Sequence, residues 1–285
     1  MAAIIGKFIA GYEYINENLA DPRTKNYFMI STPWPCIALL GFYVYFIYDL
    51  GPRFMARRQP FQLNGILQIY DFLQIIINAY IFYRALALGW LRDYSFFCEP
   101  IDFSYSPRAI EITRTMWMYF MIKILDLLET IFFVLRKKQN QVTFLHVYHH
   151  MGMVLGSWGA TKYLPGGHLT FLGLLNTFVH AIMYTYYLLS SMNINTNLWK
   201  KYITQLQMIQ FFLIILHYAQ LIWVEDCGFP LWVAYLMIPQ NLFMMTLFGD
   251  FYYKTYIKKR PAMVLRKMET NGVSAEISKE NSKQQ

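Results

Sequence analysis

The sequence predicts an all-α membrane protein with seven transmembrane helices, and three observations carry this prediction. Hydrophobic residues make up 56% of the 285 positions and charged residues only 15%, whereas soluble domains carry roughly 25% charged residues. Seven apolar windows come close to the ~20 residues that a spanning helix needs. Basic residues also cluster in alternate loops, as the positive-inside rule requires of a polytopic protein.

Charged residues, prolines or glycines separate the windows, which follow one another without an internal repeat. Pro33 precedes the first window, Arg136 ends the third and Pro165 ends the fourth. The seven windows cover residues 34–50, 63–88, 109–135, 142–161, 169–192, 202–224 and 231–253. We therefore predict one polytopic membrane domain over residues 1–267, followed by a polar, disordered cytosolic tail over residues 268–285.

Loop charges predict the orientation. Basic residues follow windows one, three, five and seven, whereas the loops after windows two, four and six are acidic or neutral. The amino terminus is therefore expected in the lumen and the carboxyl terminus in the cytosol. Cys98 and Cys227 then fall in luminal loops, where oxidising conditions favour a disulfide between them. Cys36 is left near the luminal end of the first helix, where we expect it to serve packing.

The net charge of +8 is compatible with a nucleic acid, an anionic lipid or an anionic ligand. The positive charge is concentrated in short loops and the tail, and the sequence contains no motif that combines basic and aromatic residues for nucleic-acid binding. We therefore expect no nucleic-acid partner, and we expect membrane lipid to surround the helices.

Three histidines lie close together in the fourth window. On a helix, His146, His149 and His150 stand at i, i+3 and i+4, so their imidazoles share one face. Polar side chains at membrane depth are costly and normally face the inside of a bundle or a cavity. Packing histidines with satisfied hydrogen bonds are the simpler alternative, but a cluster of three favours a functional site.

Other windows bring polar groups to the same depth. On the third, Lys123, Asp126 and Glu129 share a face, either as a structural ion pair or as groups that orient and tune the histidines. The fifth contributes Asn176 and His180 at i, i+4. The remaining polar residues are Thr204, Gln207 and Gln210 on the sixth window and Asn64, Gln68, Asp71, Gln74 and Asn78 on the second. For the second window, hydrogen bonding between helices and cavity lining are equally compatible with the pattern.

Basic residues are expected at the cytosolic entrance of this polar layer, whereas the windows are apolar towards the lumen. These basic residues are Arg136, Lys138, Lys200, Lys201 and Arg266. A pocket with a cationic mouth and an apolar blind end fits a ligand with an anionic head and a long acyl chain, such as acyl-coenzyme A. The alternative is that these charges serve only the membrane topology.

The histidine motif is compatible with two chemistries. H-x-x-H-H occurs in membrane di-iron desaturases and hydroxylases, and imidazole is a suitable ligand for iron. Of the six histidines, however, His168 and His217 lie away from the polar layer, and the remaining four are too few for a typical di-iron site, although they are enough for a mononuclear one. The other chemistry is acid–base and nucleophilic catalysis on a thioester, with a histidine as the nucleophile because the three cysteines are expected near the lumen.

Over about residues 20–268 the chain resembles the ELO family of very-long-chain fatty acid elongases. The motifs that carry the resemblance are Lys123-Ile-Leu-Asp126-Leu-Leu-Glu129-Thr130, His146-Val-Tyr-His149-His150, Asn176-Thr-Phe-Val-His180 with Met183-Tyr184-Thr-Tyr186-Tyr187, and Thr204-Gln-Leu-Gln207-Met-Ile-Gln210. The chain departs from the family in placing Asp126 before Glu129, where Glu followed by Asp is frequent. Its end also lacks a strict dilysine retrieval signal.

The resemblance implies a 3-ketoacyl-CoA synthase of the endoplasmic reticulum membrane, which condenses a long acyl-CoA with malonyl-CoA and releases CO2 and CoA. It also implies seven helices, six of which form a barrel around a substrate tunnel, and a ping-pong route through an acyl-imidazole. We expect no bound cofactor or metal. Other enzymes of the elongation cycle and a second copy of the chain are compatible partners.

The resemblance also assigns roles to residues. His149 is the predicted acyl carrier, and His150 is the alternative. The complete predicted catalytic set is His146, His149, His150, His180, Asn176, Asp126 and Glu129. The residues predicted to bind CoA or substrate are Lys123, Arg136, Lys138, Gln141, Tyr186, Lys201, Thr204, Gln207, Gln210 and Arg266.

Overall fold

The computed structural model describes residues 1–196 and 198–258, and within these ranges the chain is helical and contains no strand. Its main helices are α1 (Ala2–Glu13), α2 (Trp34–Met55), α3 (Asn64–Trp90), α4 (Pro107–Leu135), α5 (Phe144–Tyr163), α6 (Gly167–Ser191), α7 (Trp199–Gln220) and α8 (Leu231–Ile257). Five of them, α2, α3, α6, α7 and α8, are long and apolar enough to cross a membrane. The protein is therefore an all-helical, multi-pass membrane protein.

Helices α4 and α5 do not belong to that group of five, although each coincides with a predicted window. They carry the charged residues Lys123, Asp126 and Glu129 and the histidine cluster, which make them less apolar on average than their neighbours. The three charged side chains are buried within the bundle. Burial inside the protein, rather than a uniformly apolar surface, is what allows such residues at membrane depth.

The predicted windows coincide with helices α2 to α8, and their ends differ from those of the helices by up to five residues. The sixth window was predicted over residues 202–224, whereas α7 covers Trp199–Gln220. The helix begins in polar residues because backbone hydrogen bonds can extend past an apolar stretch, and the chain turns at Leu221, whose N–H bonds the carbonyl of Tyr218. Helix α1 had not been assigned, because residues 1–32 mix charged and apolar residues.

The long helices alternate in direction, so their ends meet at two levels. At one level, Arg136, Lys138 and Lys200 surround a polar cavity, and we call this the mouth end. At the other, Cys98 and Cys227 are bonded to each other, and we call this the disulfide end. The most extensive helix contacts are those of α3 with α6, α7 with α8 and α4 with α5. These pairs place the histidine helix α5 directly against α4.

The segment between α1 and α2 covers the disulfide end. Asp21 and Arg23 form a buried ion pair, and Nη1 of Arg23 donates to the carbonyls of Asp102 (2.6 Å) and Ser104 (2.8 Å). Nζ of Lys162, at the end of α5, donates to two carbonyls of the same segment at 3.0 and 2.8 Å. Charged side chains thus tie this segment to α5 and to the α3–α4 loop through backbone carbonyls.

A disulfide joins the α3–α4 loop to the α7–α8 loop. Cys98 and Cys227 are 129 positions apart in sequence, and their Cα atoms are 5.6 Å apart. Close by, Gly167 begins α6 with φ of +57°, and a Cβ atom on it would lie 2.7 Å from the carbonyl oxygen of Glu99. Only glycine fits this approach without strain. Beside it, the rings of His168 and His217 stack with centroids 3.6 Å apart.

Candidate active site

The two helices that carry the site have starts defined by their sequence. Ser106 caps α4, because its Oγ accepts a hydrogen bond from the N–H of Ala109 (3.1 Å), and Pro107 occupies the first helical position. Thr143 caps α5 by accepting the N–H of His146 (3.2 Å). The caps fix where each helix begins, and the packing of α4 against α5 places Glu129 beside the histidine helix.

Asp126 is the hub of the site. Its Oδ2 accepts a hydrogen bond from Nζ of Lys123 (2.9 Å), and its Oδ1 accepts one from Nε2 of Gln74 (2.9 Å) and one from the hydroxyl of Tyr184 (3.0 Å). Nδ1 of His180 lies 3.7 Å from Oδ2. This carboxylate therefore pairs with a lysine, as one of the two predictions from the sequence had it, and it also lies beside a histidine.

Glu129 takes the corresponding place beside α5. Its Oε2 lies 3.4 Å from Nε2 of His150, and the ring centroids of His146 and His150 are 4.2 Å apart. Nε2 of His146 is hydrogen bonded to Oγ1 of Thr130 (2.9 Å). The histidines of α5 thus differ in their partners: His146 has a hydroxyl and His150 has a carboxylate.

Glu129, His146 and His150 could together hold a metal ion, because one ligand atom from each lies within 4.8 Å of the others. Two imidazoles and a carboxylate are a donor set that suits iron or zinc. The hydrogen bond between His146 and Thr130 occupies Nε2 of that ring. A metal bound through this nitrogen would have to break that bond.

A large apolar cavity lies on the His149 side of the layer. Its volume is about 480 Å³, and it extends between α4, α5, α6, α7 and α8 towards the disulfide end. His149 and Asn176 line its polar end, and Gln210 contributes an amide oxygen that is buried without a partner among the described residues. Oδ1 of Asn176 accepts the hydroxyl of Tyr119 (2.9 Å), which leaves its amide N–H groups to donate elsewhere.

A second cavity, of about 370 Å³, opens at the mouth end. Its lining combines cationic, acidic and neutral polar residues, including Asn64, Asp71, Glu129, Arg136, Lys138, Gln141, Tyr186 and Lys200. The polar stripe of α3 is divided in function: Asn64 and Asp71 line this cavity, whereas Gln74 bonds Asp126. Both interpretations of that stripe therefore hold, each for a different part of the helix.

The other predicted binding residues lie at the edges of these cavities or away from them. Thr204 is buried and bonds the carbonyl of Lys200 (3.1 Å), and Nε2 of Gln207 lies 3.6 Å from the sulfur of Met183. Lys201 is exposed and lines neither cavity. Arg266 and the predicted tail, residues 268–285, lie outside the described residues.

Sequence reasoning missed two tyrosines that hold the site. Tyr119 bonds Asn176, and the hydroxyl of Tyr148 donates to Oε1 of Gln240 on α8 (2.7 Å). Tyr119 precedes Lys123 by four residues and therefore shares its helix face, a signal that was available. The partner of Tyr148 could not be read from the sequence, because α5 and α8 are far apart along the chain.

Comparison with known protein families identifies the family of this chain. The model of the ELO family, described as GNS1/SUR4, matches residues 28–263. The chain belongs to the ELO family. Its four characteristic motifs lie within the matched range, and the structure brings residues from the first three of them into one layer.

Individual ELO-family relatives cover most of the chain. Very long chain fatty acid elongase 7 of Drosophila melanogaster is 42% identical over 255 residues, which are 88% of this chain and 78% of the relative. The protein of the same name from Rattus norvegicus is 42% identical over 243 residues, 84% of this chain and 86% of the relative. Human very long chain fatty acid elongase 1 is 39% identical over 258 residues, 89% and 91% of the two chains.

Proposed function

We propose that this ELO-family protein is a very-long-chain fatty acid elongase, an acyltransferase that condenses a long-chain acyl-CoA with malonyl-CoA to 3-ketoacyl-CoA, CO2 and CoA. One observation carries the proposal: in a chain of this family, paired imidazoles and carboxylates lie between a mouth with cationic groups and an apolar cavity. The multi-pass helices and the names of the relatives support the same activity.

The two cavities suggest how a substrate lies. The anionic coenzyme A head meets Arg136, Lys138 and Lys200 at the mouth, where guanidinium and ammonium groups bind phosphate. The acyl chain fills the apolar cavity, and burial of its methylene groups contributes about 0.8 kcal/mol each. The thioester then lies between the two, at the level of the histidines.

In the first half-reaction, a ring nitrogen of His149 attacks the thioester carbon. The new N–C bond forms as the carbonyl electrons move to oxygen, and the amide of Asn176 or the ring of His180 stabilises that oxyanion. The C–S bond then breaks, the thiolate of CoA takes up the proton that the other ring nitrogen of His149 gives up, and a neutral acyl-imidazole remains on His149. The partial exposure of His149 to the apolar cavity favours it over His150, which is paired with Glu129.

In the second half-reaction, malonyl-CoA replaces CoA at the mouth. Loss of CO2 leaves the electron pair of the broken C–C bond on the thioester α-carbon, and this carbanion attacks the acyl carbon on His149. The N–C bond breaks, the imidazole regains its electron pair and takes up a proton from water to replace the one it gave to CoA, and 3-ketoacyl-CoA leaves. His146 and His180 position the malonyl group. Asp126 beside His180 and Glu129 beside His150 exchange protons with these rings as the charge changes.

Mass spectrometry of the purified protein given acyl-CoA alone tests the acyl carrier. We expect an acyl adduct on the wild type and on His150→Ala, and none on His149→Ala. The reverse pattern would assign the adduct to His150. A wild type that forms no adduct would argue against the ping-pong route, and the condensation would then be direct.

Release of labelled CO2 from carboxyl-labelled malonyl-CoA tests the function itself. We expect release only when a long acyl-CoA is also present, and we expect full activity after treatment with a chelator. Failure of every acyl-CoA to support release would overturn the proposal. Stoichiometric iron that is required for activity would instead favour a histidine-box iron enzyme, with Glu129, His146 and His150 as ligands.

We further propose that α2 to α8 all span the membrane of the endoplasmic reticulum and that six of them form a barrel around the tunnel. In this arrangement the amino terminus is luminal and the mouth end is cytosolic. Protease protection of tags at the two termini in sealed microsomes tests it, because only the carboxyl-terminal tag should be digested from outside. Association with other enzymes of the elongation cycle, or with a second copy of the chain, stays a prediction.

A further inference from the structure

Two apolar cavities meet at one wall. Besides the 480 Å³ cavity beside His149, a small void of about 30 Å³ lies between α3, α4 and α6. Both are lined by Met116, Tyr119 and Gly173, which therefore separate one from the other. We call these three residues the side wall, and the small void the side pocket.

The length of the main cavity limits an acyl chain that starts at His149. Along α5 the lining extends from His149 to Ala160, which is about 16 Å at the rise of an α-helix. An extended chain advances about 1.2 Å per bond, so it would reach the end of the cavity after about 13 bonds. The carbons of a very long acyl chain beyond that point need more space.

The far end of the side pocket is lined by α3, α4 and the loop between them. Ala85 and Leu88 of α3 and Ile112 of α4 line it, and the ring of Tyr94 covers Gly89, where a Cβ atom would lie 2.6 Å from that ring. At 30 Å³ it has room for about two water-sized groups. It can therefore accept the last carbons of a chain only if the side wall gives way.

The three residues of the side wall differ in how far their side chains can move. Tyr119 is held by its hydrogen bond to Asn176 (2.9 Å). Gly173 leaves a gap beside that ring, since a Cβ atom on it would lie 4.0 Å from Cδ2 of Tyr119. Met116 has a flexible, unbranched thioether, the kind of side chain that adapts to irregular space. Met116 is thus the member that can move, and Gly173 provides the space beside Tyr119.

We propose that Met116 and Gly173 determine the longest acyl chain that the protein accepts. The methyl end of a chain that fills the main cavity displaces the Met116 side chain, passes Gly173 and enters the side pocket. This inference rests on the proposed function, because it concerns the acyl substrate of that same site.

The test compares two methionine variants on a series of saturated acyl-CoAs that differ by two carbons. Met116→Ala opens the side wall, whereas Met237→Ala removes the same volume from the α8 side of the main cavity, away from the side pocket. We expect Met116→Ala to lengthen the longest product by about two carbons and to raise its share roughly tenfold. Met237→Ala should leave the longest product as in the wild type. An equal shift in both variants, or none in Met116→Ala, would overturn the proposal.

Gly173→Ala tests the same wall in the opposite direction and decides the question if Met116→Ala does not fold. The added methyl group makes an ordinary contact at 4.0 Å from Tyr119, so the helix can accept it. We expect its longest product to be about two carbons shorter, and an unchanged longest product would overturn the proposal. A wild type that condenses no acyl-CoA would contradict the proposed function, whereas a wild type that elongates with the same limit as both variants would contradict the side wall alone.

Discussion

The protein contains two groups of histidines, and they differ in what surrounds them. At the centre of the bundle, His150 and His180 each face a buried carboxylate, and His149 faces a cavity. At the disulfide end, His168 and His217 stack on each other among aromatic rings, and Nε2 of His168 donates to the backbone carbonyl of His217 (2.9 Å). Within the described residues, the close contacts between a histidine ring and a carboxylate involve the central group alone.

This difference shows that the role of an imidazole depends on its neighbours rather than on its burial. His168 and His217 are as buried as His150 and His180. In the part of the chain that the structure describes, their rings contact aromatic side chains and a backbone carbonyl, and no salt-bridge contact joins either ring to a carboxylate. In the central group, carboxylates lie beside His150 and His180 and a cavity lies beside His149, and such neighbours suit the proposed chemistry.

The largest effect should come from a matched pair of substitutions, one in each group. His150→Phe removes an imidazole beside Glu129 and should lower the condensation rate about a hundredfold or more. His217→Phe keeps an aromatic ring in the stack and should preserve the turnover of the folded protein. The measurement is CO2 release per folded molecule, with thermal unfolding as the control. Similar losses in two well-folded variants would contradict the distinction between the groups.

A second substitution removes the carboxylate that distinguishes the central group. Asp126→Asn leaves the charge of Lys123 buried without its ion partner, which should cost about 3–5 kcal/mol of stability and most of the activity. Asp93→Asn, at the disulfide end, is the control, because Asp93 is exposed where it pairs with Arg108. Denaturant unfolding and condensation rate check both. A stable, active Asp126→Asn variant would show that the site does not depend on the charge of this carboxylate.

The disulfide end should respond in stability rather than in chemistry. Replacing both Cys98 and Cys227 by serine removes the bridge between two loops and should lower the free energy of unfolding by about 2–4 kcal/mol. Thermal unfolding with and without a reductant measures this. The reductant should lower the midpoint of the wild type and leave the double variant unaffected. A wild type that is insensitive to the reductant under conditions that reduce the bond would contradict the expectation.

The smallest effect concerns the mouth and its pH dependence. Burial, together with the positive charges of Arg136 and Lys200, lowers the pKa of Lys138. As the pH rises through that lowered pKa, Lys138 loses its charge, and the KM for acyl-CoA should rise. The rise should be at most roughly fivefold, because that factor corresponds to the largest free energy typical of an exposed ion pair. Lys138→Gln should abolish this rise of KM with pH, whereas Lys137→Gln, at an exposed position outside the cavity, should retain it. An identical pH profile in wild type and Lys138→Gln would contradict the assignment.

Much of the site could be predicted because its spacing is local. Residues at i, i+3 and i+4 of one helix share a face whatever the rest of the chain does, so the groupings of Lys123 with Asp126 and of His146 with His150 could be read directly. Partners on distant helices could not be predicted in this way. The bonds of Gln74 to Asp126 and of Tyr148 to Gln240 join helices whose relative rotation depends on packing along their whole lengths.

The sequence by itself determined the helical class, the membrane-spanning character, the family and the residues that make up the polar layer. Apolar length, loop charge and helical spacing are properties of continuous segments, and they act before any tertiary contact forms. Only the tertiary structure decided that Asp126 bonds Lys123 and lies beside His180, that the mouth and the apolar cavity lie on different sides of the histidines, and that Met116 separates two voids. These features depend on how the surfaces of several helices fit together, and no single segment contains that information.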